Sequence, residues 1–379
     1  MAYPSLGGSV RIVIDVTAAC TARPTGIGRY TTQLARSLVG LGADIELGTR
    51  CSHLRQHRHR LSIANVPGFW IQEPWWPPLL KPDVVHVTDS RVPRWRAPRV
   101  ATLHDVMHLL PEYSGSEPIS TTSFRERKIA GYRAMATDCH RIIAVSETTR
   151  QDFLSHVDCP EEKVVTVHHG VDPIFRPISP DQYREVLALR GIPEGAILYV
   201  GDLSLRKNIP GIIHGFLAAD LGDVPLVLAG DTTFGGDELL SLIEREGKGL
   251  VHHVGWLGDD VLPALYSSAR AFLYCTFYEG FGMPILEAMG CGTPVVVSDR
   301  GAAPEVAAGF AESCDPEDPL SVADALGQAL SHDDSKLAKA REYAASFSWE
   351  RCASETLEVY RAAREAATSI ETSTPMGVT

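Results

Sequence analysis

Glu279 and Glu287 stand eight residues apart, and the stretch after Glu279 begins Gly280-Phe281-Gly282-Met283-Pro284. A loop of small residues that feeds a helix N-terminus offers unpaired N–H groups and a positive dipole end to an anion. Such a loop can hold a phosphate while carboxylates on either side bind hydroxyls, a combination that suits a nucleotide sugar. Arg206 and Lys207 are adjacent cations at the end of another apolar run. An Arg fork with a Lys point charge is the usual counterion set for a diphosphate leaving group. His104-Asp105 closes the run Arg99 to His104, where an open α/β sheet binds its ligands. Gly26 and Gly28 either let the backbone approach a bound group or make a plain tight turn. A dinucleotide site would want a third glycine where Thr31 stands.

These residues need strands and helices to position them. Val10 to Val16, Asp83 to Thr88, Arg99 to His104 and His140 to Ser146 read as strands buried on both faces. Tyr30, Leu34, Leu38 and Leu41 recur at helical spacing after the first strand. The pattern restarts in the second half with Ala196 to Val200, Pro225 to Ala229, Leu250 to Val254, Ala271 to Cys275 and Pro294 to Ser298. Pro284 suits the first turn of the helix after the glycine loop. Two strand–helix series with ligand-type loops at strand ends imply an α/β protein with two doubly wound, Rossmann-like domains facing a cleft. The reading places the first domain at 1–172 and a linker marked by Pro173, Pro177 and Pro180 at 173–180. The second domain covers 181–348, a crossover helix 349–367 returns to the first, and 368–379 is a disordered tail.

Composition narrows the function. The chain has 379 residues, enough for about two domains. Its 47 acidic and 35 basic residues leave a net charge of −12, which argues against a nucleic-acid binder. The eight cysteines include no C-x2-C pair, so zinc-ribbon and redox-motif readings fail and a reducing cytoplasm is the simplest setting. The first residues lack a signal-peptide layout, and no apolar run is long enough to span a membrane. Peripheral contact with the inner membrane face stays open. The Arg- and His-rich stretch 51–60 and the Trp70, Trp75 and Trp76 cluster fit either a solvated or packed rim or contact with an acceptor or membrane.

The stretch YEGFGMPILEAMGCGTPVV, with Arg206-Lys207-Asn208 upstream, resembles the E-x7-E motif of the family-4 retaining glycosyltransferases, which have the GT-B fold. The resemblance covers nearly the whole chain. It implies that Arg206, Lys207 and the Gly280, Phe281, Gly282 and Met283 segment bind the donor diphosphate. Glu279 would hold the hydroxyls of the transferred sugar and Glu287 those of the ribose. Gly255, Trp256 and Leu257 would lie near the nucleobase. Gly26 and Gly28 would approach the donor, with Gly28, Arg29, His104 and Asp105 toward the acceptor and His104 at the reaction centre. Many members carry an Arg directly after the strand glycine, where this chain has Asp202. His169 replaces the usual Asn of another motif, and no role is transferred to it.

The expected reaction is hexose transfer with retention at the anomeric carbon, catalysed by His104, Arg206, Lys207 and Glu279. No cofactor is expected, and no metal, because the diphosphate is served by cations and a helix dipole. The substrate is a nucleotide-diphosphate sugar, GDP-, UDP- or dTDP-linked, with GDP-mannose favoured by the RKN pattern. The acceptor is a glycan, a lipid-linked glycan or a small molecule. Rival readings are a nucleotide-sugar epimerase and a non-catalytic nucleotide-sugar-binding partner. Oligomeric state is not readable from the sequence.

Overall fold

The computed structural model describes residues 10–50, 69–72, 82–93, 97–110, 120–331 and 333–373. These fall into two compact units. One is drawn from Met1–Leu109, Ser123–Gly170 and Trp349–Thr379, the other from Leu110–Thr122 and Val171–Ser348.

The first unit holds a parallel sheet of seven strands: β1 (Arg11–Asp15), β2 (Asp44–Arg50), β3 (Phe69–Gln72), β4 (Val84–Val87), β5 (Arg99–Leu103), β6 (Arg141–Ala144) and β7 (Val164–Thr166). Their order is β3-β2-β1-β4-β5-β6-β7. The helices α1 (Gly26–Gly40), α2 (Thr122–Asp138) and α3 (Glu147–His156) connect them. Ser146 caps α3, its hydroxyl accepting from Thr149 N at 3.0 Å.

In the second unit the helices are α4 (Pro180–Ala188), α5 (Ile209–Ala218), α6 (Gly236–Glu246), α7 (Leu262–Ser268), α8 (Met283–Gly290), α9 (Ala303–Ala307), α10 (Pro319–Leu330) and α11 (Asp334–Ala345). They flank β8 (Ile197–Val200), β9 (Leu226–Ala229), β10 (Val251–Gly255), β11 (Ala271–Tyr274), β12 (Val295–Ser298) and β13 (Glu312–Cys314). The sheet is parallel and runs β10-β9-β8-β11-β12-β13. The strand order of both sheets reverses beside their first strand, at β1/β4 and β8/β11. In open α/β sheets that switch point is where ligands bind, outside the carboxyl ends of the strands.

The cores follow from the strand composition. Ile12, Ile14, Leu198, Phe272 and Val296 are fully buried, each contributing about 1.5–3 kcal/mol relative to exposure. The last helix, α12 (Trp349–Ser373), packs on α1 and on β4, β5 and β6 of the first unit. Trp349, Ala353 and Tyr360 are buried along it.

Several details depart from the sequence reading. The helix continues to Ser373, past the point where a disordered tail is expected from 368. The short strands β3 and β13 were not anticipated, and α4 begins at Pro180, the last residue of the expected linker. The stretch 51–60, Trp75 and Trp76 lie outside the described residues, while Trp70 belongs to β3. Among the described residues no helix is long and apolar enough to cross a membrane.

Candidate active site

The chain leaving β8 turns through Leu205–Lys207 and reaches Asn208 at φ 54° and ψ 40°. Lys207 is 6% exposed and Glu279 8%, and the Lys207 Nζ donates to Glu279 Oε1 as a buried ion pair. The ammonium also lies 5.8 Å from the centre of the Tyr274 ring. Arg206 Nη2 is 3.6 Å from Asp202 Oδ1. Asp202 Oδ2 accepts from the Ser204 hydroxyl at 2.9 Å and the Thr233 hydroxyl at 3.1 Å. Burial by itself would raise the Asp202 pKa, but Lys207 and Arg206 outweigh it and hold the carboxyl below its ordinary value. Two cations and two carboxylates thus give this cluster no net formal charge.

Across the switch point, β11 feeds the loop that carries Glu279. The Glu279 carbonyl accepts from Ala302 N at 2.9 Å, which fixes the backbone beneath the carboxylate. Gly282 caps α8 at φ 90°, a conformation that L side chains rarely adopt. Gly280, Phe281 and Gly282 are all buried. The Phe281 ring packs at 6.2 Å from Phe347, so its side chain serves the core and only its backbone can face an anion. Met283 opens α8 half-buried. Glu287, 4% exposed, accepts from the Tyr266 hydroxyl at 3.0 Å. The two glutamates therefore sit in different settings, one paired with an ammonium and one oriented by a phenol. Gly255 ends β10 at φ 70°, Trp256 is 39% exposed and Leu257 half-buried.

In the first unit His104 follows β5, and its Nε2 lies 3.0 Å from the Thr88 carbonyl. A carbonyl only accepts, so Nε2 carries the proton and Nδ1 keeps its lone pair. Burial lowers the His104 pKa to about 4, so the ring is neutral at pH 7. Its edge meets the Tyr30 ring at 5.0 Å, and His169 packs among Tyr30, His104 and Trp349. Asp105 accepts a long bond, 3.4 Å, from the Tyr132 hydroxyl. His104 and Asp105 line a shallow pocket together with Ile27, Asp89, Ser90 and Lys128.

Gly26 is exposed in the first turn of α1 and Arg29 is half-buried. At Gly28 a Cβ would lie 2.7 Å from the Ala18 carbonyl oxygen. Gly28 thus packs closely on the chain's own backbone within the first turn of α1.

Lys207 and Glu279 are brought into contact, while Arg206 turns to Asp202 and Glu287 to Tyr266. Sequence reasoning missed the Arg50 network. Arg50 bonds Asp15 Oδ2 at 2.7 Å and both oxygens of Asp89 at 2.8 and 3.1 Å. Burial opposes its charge, but the Asp15 and Asp89 carboxylates prevail and raise its pKa. The usable signal was position, since all three follow or end strands at the ligand edge of the sheet. His86, in β4, is structural. Its ring nitrogens lie 2.7 Å from the Tyr360 hydroxyl and 2.8 Å from the Thr102 hydroxyl, and burial lowers its pKa to about 3.

Residues 24–175 match the model of Glycosyltransferase Family 4, and residues 191–347 that of Glycosyl transferases group 1. The chain is 32% identical over 291 residues to the O-antigen chain mannosyltransferase B of Escherichia coli, covering 74% of each protein. It is 28% identical over 295 residues to the serotype-specific mannosyltransferase WbdA of the same species, but spans only 35% of that relative's length. The Anabaena protein HepE in complex with UDP-glucose superposes with a TM-score of 0.65 at 20% identity, over 96% of this chain and 99% of that one. With both halves matched and two doubly wound units in place, the chain belongs to the family-4 glycosyltransferases of GT-B fold.

Proposed function

We propose that the protein transfers a hexose, with mannose favoured, from a nucleoside-diphosphate sugar to a hydroxyl of a glycan, glycolipid or small-molecule acceptor, with retention at the anomeric carbon. The buried Lys207–Glu279 pair at the β8/β11 switch point carries the reading. It sets a cation for a departing phosphate beside a carboxylate for sugar hydroxyls. The identity to a mannosyltransferase and the UDP-glucose bound by a structural neighbour support the donor class. Mannose leads because the mannosyltransferase relative spans most of the chain, and GDP leads over UDP and dTDP on the Arg206-Lys207-Asn208 pattern.

In this reading the anomeric C–O bond to the diphosphate breaks and the acceptor oxygen bonds to the same face. The acceptor proton passes to a leaving phosphate oxygen. Lys207, Arg206 and the backbone of Gly280 to Gly282 stabilise the developing diphosphate charge. Glu279 orients the sugar and Glu287 the ribose. His104, neutral with a free Nδ1 lone pair, accepts a hydrogen bond from a sugar or acceptor hydroxyl. Trp256 offers its exposed ring to the base. No metal is required.

Incubating the protein with GDP-mannose, UDP-glucose and dTDP-glucose over an acceptor panel tests this, with product configuration read by NMR. An α-linked mannoside is expected from GDP-mannose. Inverted product, or isomerised donor without acceptor, would overturn the proposal.

A further inference from the structure

We infer that Asn208 is a positioning residue, an amide clamp that registers the Lys207 ammonium to the Glu279 carboxylate. The inference rests on the donor-site reading of that pair. Asn208 Nδ2 has two N–H donors, and both are used. One reaches the Cys275 carbonyl at 3.0 Å and the other the Pro316 carbonyl at 2.7 Å. Oδ1 accepts from Gly211 N at 3.2 Å and so caps α5. One buried side chain therefore joins three segments: the turn holding Lys207, the start of the loop holding Glu279, and the chain beyond β13.

Residue type and backbone both require asparagine here. The left-handed conformation at φ 54° is one that Asn tolerates better than most residues. Aspartate has the same shape but no donor, and would turn a carboxylate toward two carbonyls. Gly211 makes room for the clamp, since a Cβ there would lie 2.4 Å from Asn208 Nδ2. Asn208 is the residue after Lys207, and Cys275 is four residues before Glu279. A shift at the clamp thus moves both ends of the ion pair relative to each other, while the strands beneath stay fixed by their own ladder.

The test is a double-mutant cycle on the full chain. N208G keeps a residue that favours the left-handed backbone and deletes the amide; K207M deletes the ammonium. Binding of GDP, with UDP in parallel, is measured by calorimetry for wild type, N208G, K207M and the double variant. Each single variant is expected to weaken nucleotide binding by about tenfold, and the double variant to match K207M within about twofold, because residues acting through one contact are not additive. Wild-type affinity in N208G beside weakened binding in K207M would overturn the clamp alone, as would losses that multiply in the double variant. Wild-type affinity in K207M would overturn the donor-site reading instead. Transfer kinetics give a second readout: N208G should lower kcat as K207M does, whereas a merely stabilising role would lower the unfolding midpoint and leave kcat unchanged. N208S, which deletes the amide without adding a charge, provides the same comparisons should N208G fail to fold.

Discussion

The Lys207 ammonium and the Glu279 carboxylate meet across 72 residues of chain, at the ends of two neighbouring strands, with both side chains buried. Each group's charge is matched by the other. In the proposed mechanism a donor inserts between them or shares them, exchanging one buried pairing for another.

The pair makes the choice of substitution decisive. Removing one partner of a buried ion pair leaves an uncompensated charge and costs roughly 3–5 kcal/mol. E279A is therefore expected to lower the unfolding free energy by about that amount, measured in urea. E279Q keeps the shape and a neutral acceptor for the ammonium, and should fold while losing transfer by about 10²–10³-fold. Near wild-type turnover in E279Q would remove Glu279 from the reaction.

Asp202 neutralises part of the charge of Arg206 and Lys207. D202N should leave the cluster with a net positive charge and tighten nucleoside-diphosphate binding by about tenfold, about 1.4 kcal/mol. Salt should weaken the gain. Calorimetry at two ionic strengths checks both; unchanged affinity would mean that the diphosphate is held elsewhere.

His86 and His104 have pKa values lowered to about 3 and about 4, whereas in the unfolded chain both titrate near their ordinary value of about 6.5. Below that value the unfolded state binds more protons than the folded one, so stability falls as the pH drops from about 6.5 toward about 4. Above it these two residues contribute no slope. Unfolding midpoints across that range, with NMR titration of the imidazoles, test the sign. A His104 transition near 6.5 would contradict its neutral state.

Arg50 holds Asp15 and Asp89 together at the edge of the first sheet. R50M should leave two carboxylates facing each other without a counterion and destabilise the protein by about 3–5 kcal/mol. Restoring neutrality with D89N in the same chain should recover part of the loss. Denaturant unfolding of the three variants measures it.

Transfer should persist at its full rate in excess chelator, because cations and backbone amides serve the leaving group in the proposed mechanism. A rate that collapses with EDTA and returns with a divalent ion would replace that mechanism.

Local periodicity and residue chemistry made much of this protein readable before any coordinates. Runs such as Ile12 to Ile14 and Val295 to Val297 announce buried parallel strands, and the loops beyond them carry Arg206, Lys207, Glu279 and His104 where such sheets take ligands. The strand β13, Glu312-Ser313-Cys314, has no apolar run to announce it, and β3, Phe69–Gln72, falls in the aromatic stretch that reads as a cluster. Neither could the chain order show which charges meet. Lys207 could have faced solvent, and the Phe281 ring a ligand. Instead the crossovers bring Glu279 to Lys207 and Phe347 to Phe281. Secondary structure depends on neighbours a few residues away, so it is written locally. Pairing depends on which strand ends the folded sheet places side by side, and that is decided only when the whole chain has packed.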